Sequence, residues 1–151
     1  MLIDERDIRR LIPHARRMCL IDGVLAWDDE AIVCTTGTHR DPSHPLGRDG
    51  RLAAIHAFEY GAQAAAIHGA LLARAAGRPP VAGYLGTLRH ARLAVVRLDT
   101  IADDRKVSAQ VLFGDHGNAI YACQVDAANA RIAEARITII ERPIREPCAD
   151  A

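Results

Sequence analysis

The stretch LAAIHAFEYGAQAAAIHGALLARAA, residues 52–76, decides the fold. Leu52, Ile55, Phe58, Ala62, Ala66, Gly69 and Leu72 recur at helical spacing, which predicts one long helix over Leu52–Ala76. Gly77 ends it, and Pro79-Pro80 forbids continuation. The stretch is alanine-rich and apolar, yet it holds one carboxylate, Glu59. Such a charge is costly among apolar neighbours unless it is paired, exposed or used. Immediately upstream, residues 39–50, HRDPSHPLGRDG, form a Pro/Gly/Asp-rich loop that carries His39 and His44. A loop histidine leading into a helix carboxylate has the composition of an acid/base pair.

Strand patterns flank the helix on both sides. Asp4–Leu11 reads as a short opening helix stopped by Pro13. Met18–Trp27 and Glu30–Thr38 are strand runs joined by the acidic turn Asp28-Asp29. After the helix come Gly83–Val96, with a bulge expected at Gly86, then Lys106–Phe113, Ala119–Asp126 and Arg131–Ile140. Gly114–Asn118 and Ala127–Ala130 are the turns between them. Pro143 and Pro147 mark a frayed tail over about residues 142–151. The order β-β-α-β-β-β-β, with short connections, implies an α+β design: an antiparallel sheet whose concave face needs an apolar cover. The long helix supplies it. A sheet wrapped around one central helix is the hotdog fold, here as one domain over residues 1–151. The edges of such a sheet commonly pair with a second copy, so a dimer is expected.

Composition excludes several functions. Nineteen basic and nineteen acidic residues cancel, so no basic field for nucleic acid or an anionic membrane arises. The apolar run Ala62–Ala76 is broken by His68, Gly69 and Arg74 and is too short to span a bilayer. The N-terminus is charged from its fourth residue and has no signal-type core, which predicts a cytoplasmic protein. Cys19, Cys34, Cys123 and Cys148 are scattered with no CxxC spacing, so neither a zinc site nor a redox motif is expected, and Cys34 and Cys123 read as small buried hydrophobes. His39, Asp41 and His44 lack a second ligand pair at helical spacing, so no metal is expected. No dinucleotide, P-loop or serine-hydrolase motif is present.

The order of short motifs carries a family likeness. In LIPHARRMCLIDGVLAWDDEAIVC, residues 11–34, Pro13, His14, Arg17, Met18, Leu20 and Asp22 stand in the register of the opening of 3-hydroxyacyl-[acyl carrier protein] dehydratases. His44-Pro45-Leu46 resembles that family's Gly-His-Phe-Pro loop, though Arg48, Asp49, Arg51, Ala53 and Ala54 occupy positions that normally hold prolines and glycines. FEYGAQAAA, residues 58–66, resembles the family helix, where an acidic residue is followed four positions later by Gln, as Glu59 is by Gln63. GYLGTLRHARL, residues 83–93, is similar to the strand that lines the acyl channel. The likeness covers almost the whole chain and is nearest the aryl-polyene-cluster branch.

The resemblance implies a hydro-lyase acting on a 3-hydroxyacyl thioester, with no cofactor beyond the phosphopantetheine arm of the carrier. Dehydration needs a base over C2, an acid at the C3 oxygen and a donor to the thioester carbonyl. A neutral imidazole suits the first, an apolar-site carboxyl the second, and helix-start N–H groups the third. The expected catalytic residues are His44, with His39 as its alternative, and Glu59. Gln63, Ala62, Tyr84 and Gly86 are the expected substrate-binding residues. Small residues Gly61, Ala62, Ala65 and Ala66 leave room for an acyl tunnel. Arg89, Arg92 and Arg97 could meet phosphate or carrier carboxylates, or could be a solvated strand face. A His56–Glu59 pair at helical spacing could satisfy the carboxylate without chemistry. Two other functions stay open: a non-catalytic hotdog subunit of a heteromeric dehydratase, favoured by the eroded loop, and an acyl-thioesterase. The expected partners are a carrier-bound 3-hydroxyacyl substrate and a second hotdog chain, identical or different.

Overall fold

The computed structural model describes residues 1–12, 18–79, 81–115 and 117–143. Pro13, His14, Arg17, Pro80, His116, Pro147 and Cys148 lie outside the described residues. Strand β1 (Ile3–Asp4) leads into helix α1 (Glu5–Leu11), where the Asp4 carboxylate accepts the Asp7 N–H at 3.0 Å and caps the first turn. Strands β2 (Gly23–Trp27) and β3 (Ala31–Thr36) form a hairpin whose turn is tied by Asp28, which accepts from the N–H groups of Glu30 and Ala31. A single-turn helix at Thr38–Arg40 and the loop to residue 53 follow. A second short turn, Ala54–His56, feeds helix α2 (Ala57–Ala75). The chain closes with β4 (Val81–Leu93), β5 (Arg105–Asp115), β6 (Asn118–Ala127) and β7 (Ala130–Pro143).

Among the described residues the strands make one seven-stranded sheet in the order β1-β2-β3-β5-β6-β7-β4, with antiparallel pairs throughout. It wraps α2, which is buried almost along its length. This is the hotdog arrangement. Small residues make the close wrap possible. A Cβ on Gly61 would lie 3.1 Å from the Cys123 Cβ of β6, and one on Gly83 would lie 2.9 Å from Ile139 and 3.2 Å from the Ala66 Cβ of α2. At the far end Gly77 takes φ of +65°, and the Arg78 N–H bonds the Ala73 carbonyl at 2.9 Å, a left-handed C-terminal cap.

Several boundaries differ from the sequence reading. The run from Met18 to Asp22 is not strand, because side chains take up the backbone groups of Met18 and Leu20. The long helix begins at Ala57, since the Leu52 carbonyl accepts the Leu98 N–H and the extended Ala53 is bridged to Arg97. The two-residue β1 takes Asp4, the first residue expected to be helical. Strand β7 continues to Pro143, two residues into the expected tail. The bulge expected at Gly86 is present as a register shift between Leu85 and Thr87.

Candidate functional site

The head of α2 gathers the chain's polar chemistry. Glu59 is half-buried on the first turn and accepts from Gln63 Nε2, one helical turn on, at 3.3 Å. Gln63 is 1% exposed and serves as a bracket. Its Oε1 accepts the Leu20 N–H at 2.8 Å, and its Nε2 also donates to the Met18 carbonyl at 2.6 Å. The carboxylate is thus fixed to the segment that precedes β2.

His44 stands beside the next helix residue. Its Nε2 is 2.9 Å from the Tyr60 hydroxyl, which is 2.8 Å from Thr38 Oγ1, and Thr38 donates to the Leu20 carbonyl at 2.8 Å. Thr36 donates to the same carbonyl at 2.6 Å. The Leu46 N–H donates to His44 Nδ1 at 3.1 Å. Burial pushes the His44 imidazole below its ordinary range, helped by nearby His56 and opposed by Asp41. Burial likewise raises the Tyr60 phenol, so it keeps its proton. On the outer side His44, Cys19, Thr38, Ser43 and Arg9 line a cavity of about 290 Å³ between α1 and the loop.

Glu59 and Gln63 are therefore bonded to each other, and His44 is joined to the same Leu20 segment through Tyr60 and Thr38. His39 is elsewhere. It is fully buried, its Nε2 is 2.9 Å from the Ile101 carbonyl, and its Nδ1 has no partner among the described residues. Burial holds it below the usual imidazole range, with Arg105 and Arg40 adding to the effect. Ala62 is buried on α2. Tyr84 is exposed on β4; Gly83, not Tyr84, meets the helix, so the alternation of the strand turns Tyr84 to the outer face. A Cβ on Gly86 would meet Ile140, on that same outer side. Asp22 accepts the Gly37 N–H at 2.7 Å. Arg97 bonds Asp99, which also accepts the Leu52 N–H, so it braces the helix head; Arg92 lies 3.9 Å from Glu134 on the open strand face.

Cys19, Cys34 and Cys123 are buried free thiols, and burial pushes Cys34 and Cys123 up to about 12. Among the described residues no cluster of three or more His, Cys, Asp or Glu could hold a metal ion, and no helix is long and apolar enough to cross a membrane. Sequence reasoning passed over Tyr60, Thr38 and Thr36. The available signal was the Tyr60 hydroxyl itself, a polar group in an apolar helix that must find a partner when buried.

Residues 6–147 match the ApeP-like family, described as ApeP dehydratase. The chain belongs to the ApeP-like family. Its fold is similar to that of the dehydratase heterocomplex ApeI:P from Xenorhabdus doucetiae, with a TM-score of 0.81 and 21% identity over 91% of each chain. Zebrafish thioesterase superfamily member 2 shares the fold at a TM-score of 0.61 and 18% identity, over 89% of this chain and 92% of that one. A thioesterase from Haemophilus influenzae does so at 0.59 and 13%, over 97% and 98%. No curated protein matches the sequence. At these identities the structural likenesses establish the hotdog fold of this ApeP-like chain.

Proposed function

We propose that this ApeP-like chain is a subunit of a hydro-lyase that removes water from a 3-hydroxyacyl thioester, working with a second hotdog chain. The observation that carries this reading is the half-buried Glu59, bracketed by Gln63 on the central helix of a chain matched to a dehydratase family over residues 6–147. The C2–H bond breaks and its proton goes to a base. Its electron pair forms the C2–C3 double bond as the C3–O bond breaks. The Glu59 carboxyl gives its proton to the departing oxygen, which leaves as water. The substrate arrives on the phosphopantetheine of an acyl carrier protein, and the chain needs no cofactor of its own.

The second chain pairs along β4. This strand closes the sheet order, so one of its edges has no neighbour among the described residues, and it displays Leu85, Leu88 and Leu93. An apolar unpaired edge of this length favours a partner strand. A second reading keeps the reaction within this chain, with His44 as the base; the cavity it lines favours access to it. The test is the product from one 3-hydroxyacyl thioester, with the chain alone and with a second hotdog chain. Enoyl thioester is expected from the pair. Release of free acid and thiol instead would make the chain a thioesterase, and enoyl product from this chain alone would favour the second reading.

A further inference from the structure

The His44 end sets the direction of the bonds that join it to Tyr60 and Thr38. The Leu46 N–H can only donate, so His44 Nδ1 accepts and the neutral ring carries its proton on Nε2. At the other end Thr36 and Thr38 both bond the Leu20 carbonyl and lie 2.9 Å from each other, so the Thr38 hydroxyl has acceptors for its own proton besides Tyr60. The Tyr60 oxygen therefore accepts from the His44 Nε2–H, and its own proton goes to Thr38. No free lone pair remains on the imidazole. His44 and Tyr60 are 5% and 2% exposed, so little of either ring meets solvent.

We infer that Tyr60 is a positioning residue that holds His44 as its Nε2–H tautomer with both nitrogens bonded, so that His44 orders the loop at the head of α2 and does not take the C2 proton. The tautomer stands on the hydrogen bonds alone, whereas the consequence for C2 rests on the dehydratase reading. Around His44 the titratable groups are Asp41 on its own loop, His39 on the preceding turn, His56 and Tyr60 at the helix head, and Glu5, Arg9 and Cys19 across the cavity it lines.

Imidazole ¹⁵N NMR of the chain reads the tautomer directly, with His44 assigned by its disappearance in His44→Gln. We expect Nε2 protonated and Nδ1 bare across neutral pH, and a mixed tautomer or a moved titration for His44 in Tyr60→Phe. A wild-type ring protonated at Nδ1, or one exchanging between tautomers, overturns the assignment. So does a folded Tyr60→Phe variant that leaves the His44 signals in place. If that variant does not fold, Thr38→Val breaks the same chain one bond later and is read in the same way. In the assembled enzyme the acid limb of kcat/KM against pH supplies the second readout. It should stay in place in Tyr60→Phe while the His44 titration moves; a limb that follows His44 makes His44 the base. An assembly that never dehydrates a 3-hydroxyacyl thioester sinks the dehydratase reading, and the NMR result still decides the role of Tyr60.

Discussion

Two histidine–tyrosine pairs hang from α2, and they are wired in opposite senses. At the helix head His44 donates from Nε2 to Tyr60, at 2.9 Å. At mid-helix His68 Nε2 donates to the Asp28 carbonyl at 2.7 Å, so its Nδ1 accepts from the Tyr121 hydroxyl at 2.9 Å. The rings tilt by 38° in the first pair and stand perpendicular in the second. The residues are the same; the backbone group facing each imidazole differs. An N–H at Leu46 makes His44 an acceptor on that side, and a C=O at Asp28 makes His68 a donor. The mid-helix pair ties α2 to β6 and to the β2–β3 turn. The head pair ties it to a loop beside Glu59. A histidine's role is thus set by the main chain opposite it, which neither spacing nor composition reveals.

The sharpest way to break this division is to show that the head carries no chemistry. Glu59→Gln should lower dehydration by the assembled enzyme about 10²-fold or more while melting stays near wild type. Turnover that survives the change would make Glu59 a structural carboxylate. The mid-helix pair should fail in stability instead. His68→Ala leaves the Tyr121 hydroxyl and the Asp28 carbonyl unpaired beside a cavity, a cost of about 3 kcal/mol. A fall in Tm of about 6–12 °C by calorimetry is expected, and a shift under a few degrees would show that this pair does not tie the layers.

Acid sharpens the contrast further. Burial depresses the folded values of His39 and His44, so the native state keeps both neutral. Unfolding returns them to about 6.5. Below that pH the unfolded chain binds more protons, so stability present above about pH 6.5 is lost as pH falls toward the folded values. Urea midpoints between pH 8 and 5 should show the decline, and His44→Gln should make it shallower. A flat profile would mean that neither imidazole is held neutral. The smallest effect belongs to Tyr121→Phe, which removes one donor to His68. It should cost about 1 kcal/mol, or about 2–4 °C in Tm, with product yield from the assembled enzyme unaltered.

Much of the architecture was legible because local pattern and tertiary need agreed. The helical spacing of Phe58, Ala62 and Ala66 and the stop at Gly77 located α2, and the Asp28-Asp29 turn located the β2–β3 hairpin. The reading failed where side chains overrode the pattern. The apolar run Met18–Asp22 looks like strand, yet Gln63, Thr36 and Thr38 occupy the backbone groups of Met18 and Leu20, partners that no local window contains. The site was legible to the same depth. Glu59 and Gln63 lie one turn apart on one element, so their contact follows from helical geometry. The bond from His44 to Tyr60 depends on how a loop closes over the helix, and His39 was indistinguishable from His44 until Ile101 claimed it.

The strand order has a consequence in time. On the ribosome α2 and β4 are made before any of β5, β6 and β7. The register joins Val81 to Pro143 and Leu93 to Ala133, so β4 finds its neighbour within the chain only when the last strand emerges. Until then β4 has no sheet neighbour to hold it over the greasy helix, and the cover that β7 gives α2 is missing. Pairing of such distant segments is slow, and the incomplete sheet is the form most exposed to aggregation. A nascent chain in that state gains most from a folded partner or chaperone already at hand, which makes the timing of synthesis part of how this sheet is built.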